Sequence, residues 1–405
     1  MRPTRMTLSR WLLPLIATMM ALPATAEALR SAAPIPCEAF RNVPAYRAQQ
    51  RDLIDALGRR NVTKIELQFT NALTTYARGE TSDTELSYLV SAFQTGNVAF
   101  TPYIAEWLKL HPNSYAANMA AAAHFYELAF QLRGQKLGSE TSNDQQQAFL
   151  STVNESRRYV TRAMALSRRP ITAFEYAIRL AGAVETREAV IDLYRQALAL
   201  DPQALSTRNA YIWAMDRRWQ GRPDDLAQYA EETRNSALDD NAKTYVLYMI
   251  ELRLGGAAWT DKDKAAAAQH YRAAASLCSQ SEPWRQLANL YNEFKDWPAA
   301  IESLNTYLLI EPDQSWAIRR KAWAYRSVGD WTSAIPLYRQ AAELGDDNAQ
   351  ATMGWILMNG EHAPQDLDAA IRWLRAAAQH NNDDARRYLD EALQRRYASS
   401  TKSGH

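Results

Sequence analysis

From Trp284 onward the sequence repeats itself. Trp284, Leu287, Ala288, Tyr291, Ala300, Leu304, Tyr307 and Pro312 recur 34 residues later as Ile318, Lys321, Ala322, Tyr325, Ala334, Tyr338, Ala341 and Asp346. A period of this length is too short for a domain, and one copy cannot bury its own apolar face. The chain must therefore stack copies of one supersecondary unit. Spacings of three and four within each half of the unit are those of an α-helix. Small residues at Ala288 and Ala300 let two antiparallel helices approach closely, while Tyr291 and Leu304 fill the space beside them. Pro312 cannot continue a helix and stops the second one before the next unit begins. Composition agrees: only 14 of 405 residues are glycine, and 47% are hydrophobic against 22% charged, which is ordinary for a folded chain.

These slots resemble the tetratricopeptide repeat. In the first unit every consensus slot holds a permitted residue; in the second, Lys321 and Asp346 depart from the usual choices. The following unit, with Ala351, Gly354, Gly360, Asp366, Ala370, Trp373 and Ala377, resembles the Sel1-like repeat, a relative with a longer loop between its helices. Here that loop is Gly360 to Asp366, and it closes with Ala363-Pro364 where the family usually has Gly-Val. Asn381 to Arg396 supplies a polar-faced helix suited to capping the stack, and a flexible tail is expected over 397–405. Upstream the pattern degenerates. Tyr176, Ala177, Leu180, Ala189, Leu193, Ala197 and Pro202 still fit a hairpin, and Ala267, Tyr271 and Ala274 fit a second helix. Degenerate repeats are therefore expected over 170–280, and tetratricopeptide and Sel1-like repeats with their capping helix over 281–396. The fold class expected is all-α, an α-solenoid of helical hairpins preceded by an N-terminal helical domain over 27–169.

Within that domain, Tyr103 to Leu110 and Ala116 to Leu132 are amphipathic. His111-Pro112-Asn113-Ser114 forms a turn and N-cap between them. The block Trp107-Leu108, Pro112, Ser114 and Ala117, followed by an aromatic helix ending at Arg133-Gly134, resembles a bacterial domain of undetermined role that often precedes tetratricopeptide-like helices. The resemblance covers about 250 residues from Val43 and implies a fold but no activity. Gln135 to Gln147 reads as an exposed loop.

Residues 1–26 read as a secretory signal. Arg2, Arg5 and Arg10 precede an apolar run from Trp11 to Pro23, and Ala24-Thr25-Ala26 offers a small-x-small cleavage site before Glu27. The run is shorter than the ~20 residues needed to span a bilayer. An uncleaved anchor is the competing reading, but no stable membrane insertion is expected once the signal is removed. Losing its three arginines takes the formal charge from +1 to −2. A periplasmic or secreted location follows. The near balance of charge also argues against nucleic acid as a partner, since phosphate binding requires a basic excess. Cys37 follows Pro36 rather than a small residue, so lipid modification there is not expected. In an oxidising compartment Cys37 and Cys278 can pair; alternatively, Cys278 is a small buried filler on the apolar side of its helix.

The sequence carries few catalytic signatures. The six histidines are dispersed, and no H-E-x-x-H, G-x-S-x-G or phosphate-binding glycine loop occurs. No cofactor and no metal is implied. His124 sits among alanines and aromatics and reads as a core histidine, with a general base as the alternative. Asp239-Asp240, Asp346-Asp347 and Asp383-Asp384 each precede an expected helix, where acids cap amides and complement the dipole. Trp284 and Trp373 occupy slots that pack between helices.

What remains is the face that first helices of such hairpins present. Slots two, five, nine and twelve read Glu282, Arg285, Asn289, Asn292 in one unit and Trp316, Arg319, Trp323, Arg326 in the next. The resemblance implies for Arg285 with Asn289 half of a clamp for a peptide carboxylate; Arg320 stands where the other half would carry an amide. A solvated charged face is the bland reading. Trp and Arg, however, are the residues enriched at binding hot spots. The reading adopted is a non-enzymatic, exported protein that binds a protein or peptide partner, in a narrower form masking an exported toxin or enzyme as an immunity or chaperone-like protein. An envelope enzyme acting on a cell-wall polymer and a self-associating envelope scaffold are the alternatives.

Overall fold

The computed structural model describes residues 43–134, 141–380 and 382–402. Among them are nineteen α-helices and no strand. The first group is α1 (Val43–Gly58), α2 (Val62–Ala77), α3 (Asp83–Ser91), a 3-10 turn at Val98–Phe100, α4 (Thr101–Leu110), α5 (Tyr115–Arg133) and α6 (Asn143–Leu166). Then follow α7 (Ile171–Val184), α8 (Arg187–Leu200), α9 (Leu205–Ala214), α10 (Asp225–Arg234), α11 (Asp240–Thr260) and α12 (Lys264–Leu277). The periodic region supplies α13 (Ser281–Glu293), α14 (Trp297–Ile310), α15 (Ser315–Ser327), α16 (Trp331–Glu343), α17 (Asp347–Asn359), α18 (Leu367–Ala378) and α19 (Asp383–Lys402). Sequential neighbours pack as hairpins, α5 on α6, α11 on α12, α13 on α14, α15 on α16 and α17 on α18, with α19 closing against α18. This is an all-α solenoid.

The hairpins form where the sequence period places them, and their ends have local causes. Each second helix of the last four hairpins begins on an aspartate, Asp263, Asp296, Asp330 or Asp366, whose carboxylate accepts the amide three residues on. This satisfies one of the orphan donors of the first turn. Ala288, Ala300, Leu304, Ala322, Ala334 and Tyr338 are all buried, as the small-residue argument requires. In the Sel1-like unit, a Cβ on Gly354 would lie 2.4 Å from Leu374 Cγ, so only glycine lets α17 and α18 close to this distance.

Described residues all belong to one compact unit. Its largest apolar core runs from Leu53 through Trp107 and the alanines of α5 to Tyr176 and Leu180, so packing is continuous across residues 169 and 170. A second cluster joins Tyr76 and Leu86 to Ile171, Phe174, Ala197 and Ala204. The tie is polar as well. Asp83 of α3, only 2% exposed, accepts Leu205 N at 2.9 Å, Ser206 N at 2.7 Å and Ser206 Oγ at 2.5 Å. It thereby caps α9, whose own N-cap residue Ala204 has no capping side chain.

Several expectations meet particulars. Ser114 caps α5 by accepting Ala117 N at 3.0 Å, as read. The stretch expected as a loop is helical from Asn143, because Ser142 and Gln145 make a reciprocal capping box; 135–140 lie outside the described residues. The last helix runs on to Lys402, past the expected start of the tail at 397. Asp239 and Asp346 are N-caps, but Asp383 and Asp384 lie inside α19 and pair with Arg386 and Arg387, the cap being Asn382. His124 is fully buried, its Nε2 2.9 Å from Thr101 Oγ1, and burial lowers its pKa. Cys278 at the end of α12 is buried and disulfide-bonded, which removes the reading of it as a free filler; Cys37 lies outside the described residues, as does the signal read over 1–26. No described helix is long and apolar enough to cross a membrane.

Candidate partner-binding face

The face begins with two helices whose first turns point the same kind of chemistry outward. In α13, Arg285 donates Nε to Glu282 Oε2 at 2.8 Å and Nη2 to Glu282 Oε1 at 2.7 Å. Gln286 Nε2 donates to the same Oε1 at 2.7 Å. An i,i+3 fork of this kind holds a guanidinium in one place rather than leaving it to sample rotamers. In α15, Arg319 Nε lies 2.9 and 2.8 Å from the two oxygens of Asp346, itself the cap of α17. The register of the next hairpin therefore fixes Arg319.

Arg320 joins the two units. It donates Nη1 to Asn289 Oδ1 across the boundary between repeats, and its guanidinium lies 6.0 Å from the Trp316 ring centroid. Arg320 departs from the amide slot of the motif. In the fold it bonds to the amide of the preceding unit instead, so the slot is filled by a longer residue reaching the same place. Among the described residues no carboxylate lies within ion-pair distance of Arg320. Burial, with the cations Arg319 and Arg285 nearby, lowers its pKa without discharging it. Three guanidiniums thus share two carboxylates, and the middle one has none.

The other expected residues separate. Trp316 stands edge-on to Tyr307 at 5.0 Å, beside Arg320. Trp323, 40% exposed, packs edge-on against Trp297 at 5.0 Å. Arg326 lies over Trp331 at 5.4 Å, and Trp331 stacks on His362 at 3.7 Å. Trp323 and Arg326 therefore sit by the starts of the second helices, while Arg285, Asn289, Trp316 and Arg319 gather round Arg320. Asn292 is not on the open face. It follows Ala288 by four residues, shares that buried stripe and is 8% exposed, with neither side-chain polar atom hydrogen-bonded. Among the described residues no group of three His, Cys, Asp or Glu is placed to hold a metal ion.

No family model matches the chain. No curated protein matches it. Similar solved structures are helical-repeat proteins. A Sel1 repeat protein from Oxalobacter formigenes is 12% identical over 89% of this chain and 94% of that one, with a TM-score of 0.37. The uropathogenic Escherichia coli protective antigen c5321, which has an SLR fold, is 16% identical over 79% and 81%, with a TM-score of 0.32. The APC/C hetero-tetramer Cut9-Hcn1 gives 12% identity and a TM-score of 0.34, covering 78% of this chain but 64% of the matched one. The architecture stated above rests on the helices themselves.

Proposed function

We propose that the chain is an exported, non-enzymatic binding protein that takes an acidic or C-terminal peptide segment of a protein partner on the face built by α13 and α15. The observation that carries this is Arg320: a half-buried guanidinium held by Asn289 between two further arginines, beside Trp316, with no carboxylate of its own. An incoming carboxylate would supply the missing charge. A charge-assisted hydrogen bond of this type is worth about 1.5–3 kcal/mol. Trp323 would add apolar contact farther along the face. The narrower version, masking of an exported toxin or enzyme, uses the same face. Export rests on the basic, apolar and small-residue pattern over 1–26, and mature protein beginning at Glu27 in the periplasm or medium of a bacterial host would support it.

The test is a peptide library displayed with free C-termini, compared with the same library amidated, on wild type and Arg320→Ala. Binders that need the free carboxylate and are lost in the variant are the expected result. Binders indifferent to both would sink the proposal.

The envelope-enzyme alternative gains one observation, the buried acids Asp83 and Glu175, each with its pKa raised chiefly by burial. Asp83 is engaged as the cap of α9, and Glu175 accepts Nε and Nη2 of Arg179 at 3.2 and 3.1 Å, which is structural work.

A further inference from the structure

A second site lies on the other side of Glu282. The long helix α11, Tyr271 of α12, Glu282 and Gln286 of α13 and Arg218 from the turn after α9 line an open cavity of about 730 Å³. That is ample for a small organic ligand or the end of a peptide. At its wall α11 carries glycine where Tyr271 crosses it: a Cβ on Gly255 would lie 2.6 Å from the Tyr271 ring. Only glycine there lets the ring approach the helix this closely.

Nearly every charge on the wall is already paired. Arg218 donates Nε and Nη2 to Asp216 at 2.9 and 2.6 Å, and Asp216 is 1% exposed. Lys262 and the Trp259 indole both donate to Glu293. Glu282 is held by Arg285 and Gln286. Arg253 is the exception. It lines the cavity from the middle of α11 and has no hydrogen-bond or ion-pair partner among the described residues. Burial lowers its pKa most; the Asp216 carboxylate, already forked by Arg218, opposes this, and Arg218 and Arg179 add to the lowering. A cation with no hydrogen-bond partner of its own, in the field of a carboxylate that another arginine already forks, keeps its donors available to a ligand, and perturbed groups of this kind cluster at ligand sites.

We infer that this cavity is a binding site for a carboxylate carried on an apolar or aromatic body, with Arg253 as the fork that receives the carboxylate and Trp259 and Tyr271 as the surfaces that cover the body. Glu282 and Gln286 at the α13 wall offer acceptors to N–H or O–H groups of the same ligand. The wall residue Glu282 disfavours a second negative charge, so a monoanion is preferred over a phosphate or a dicarboxylate. The carboxylate comes either from a free small molecule or from the end of a peptide, and both present the same chemistry to Arg253.

The probe is N-acetylphenylalanine, with its amide as the uncharged control, titrated by calorimetry into the full chain. The acid is expected to bind and the amide to bind at least about 10-fold more weakly; Arg253→Gln should weaken the acid by about 10- to 150-fold. Arg253→Lys, which keeps the charge but not the fork, should fall between. Arg320→Ala should leave binding unchanged, so failure of this site and failure of the α13/α15 face are read separately. A decapeptide ending in phenylalanine that binds more tightly than N-acetylphenylalanine would assign the source to a peptide end; equal or weaker binding would assign it to a free small molecule. Equal affinity for acid and amide, or an Arg253→Gln variant that binds as wild type, would overturn the inference.

Discussion

Replacing Asp83 by alanine tests how the N-terminal helices and the repeats are joined. The side chain is 2% exposed and accepts two backbone amides and one hydroxyl from Leu205 and Ser206, at 2.5–2.9 Å. Alanine leaves those donors without partners. Loss of an N-cap costs about 0.5–2 kcal/mol, and each buried donor orphaned costs about 1–3 kcal/mol unless water reaches it. Against this stands the desolvation of the carboxylate, which holds the Asp83 pKa above the usual range despite the three donors. Allowing for that offset, Asp83→Ala should lose about 2–4 kcal/mol, a large share of the 5–15 kcal/mol typical of a domain. The sign with pH follows from the raised pKa. A group that binds its proton more tightly folded than unfolded contributes stability fully present below its unfolded pKa, near 4, and lost as pH rises through the folded value. The gap between wild type and variant should therefore widen on acidification. Urea unfolding at two pH values gives the magnitude, and amide hydrogen exchange at Leu205 and Ser206 gives the place. A loss below about 1 kcal/mol with unchanged exchange at those two amides would refute the capping argument.

Further outcomes follow from single contacts. Gly354→Ala places a methyl 2.4 Å from Leu374 Cγ and 3.2 Å from Ala370 O, so it should cost about 1–3 kcal/mol despite alanine's better helix propensity. Combining it with Leu374→Ala should cost less than the sum, and a strictly additive cycle in thermal unfolding would contradict the packing read here. His124, whose pKa burial lowers, contributes stability above its unfolded pKa near 6.5 that is lost as pH falls towards the folded value. His124→Gln should flatten the Tm profile between pH 7.5 and 5, and a profile as steep as wild type would contradict that assignment.

The hairpins α13 to α18 were legible because their determinants are local and periodic: a slot such as Ala288 or Ala334 can be read from residues one turn away. The cap on α9 was not, since its carboxylate comes from 122 residues upstream and nothing near Leu205 announces it. Arg320 was visible as a departure from an amide slot, but its bond to Asn289 was not. Slot logic asked for an amide there, whereas a guanidinium reaches Asn289 from the same position. Arg253 left no signal at all. Its helix carries apolar residues on every side, so no polar stripe marks the side that faces the cavity, and only the fold brings Tyr271, Glu282 and Arg218 round it. Asn292 shows the converse, a residue at a face slot that the neighbouring core stripe claims.

Glu282 belongs to both sites, and this has a thermodynamic consequence. On one side it neutralises Arg285; on the other it lines the cavity round Arg253. A carboxylate bound by Arg285 and Arg320 competes with Glu282 for the Arg285 fork, and whatever charge Glu282 regains faces the cavity. Two full charges about 8 Å apart at an effective dielectric near 20 interact by about 2 kcal/mol, and Gln286 and solvent reduce this. The two carboxylates should therefore oppose one another by roughly 0.5–1.5 kcal/mol, or about 2- to 12-fold in affinity, equally in both directions because linkage is reciprocal. The check is to titrate N-acetylphenylalanine with and without a saturating free-carboxylate peptide selected on the α13/α15 face, in wild type and Glu282→Gln. Opposition in wild type that disappears in the variant is the expected pattern. Independent binding in wild type, or opposition that persists in Glu282→Gln, would remove Glu282 as the link between the two sites.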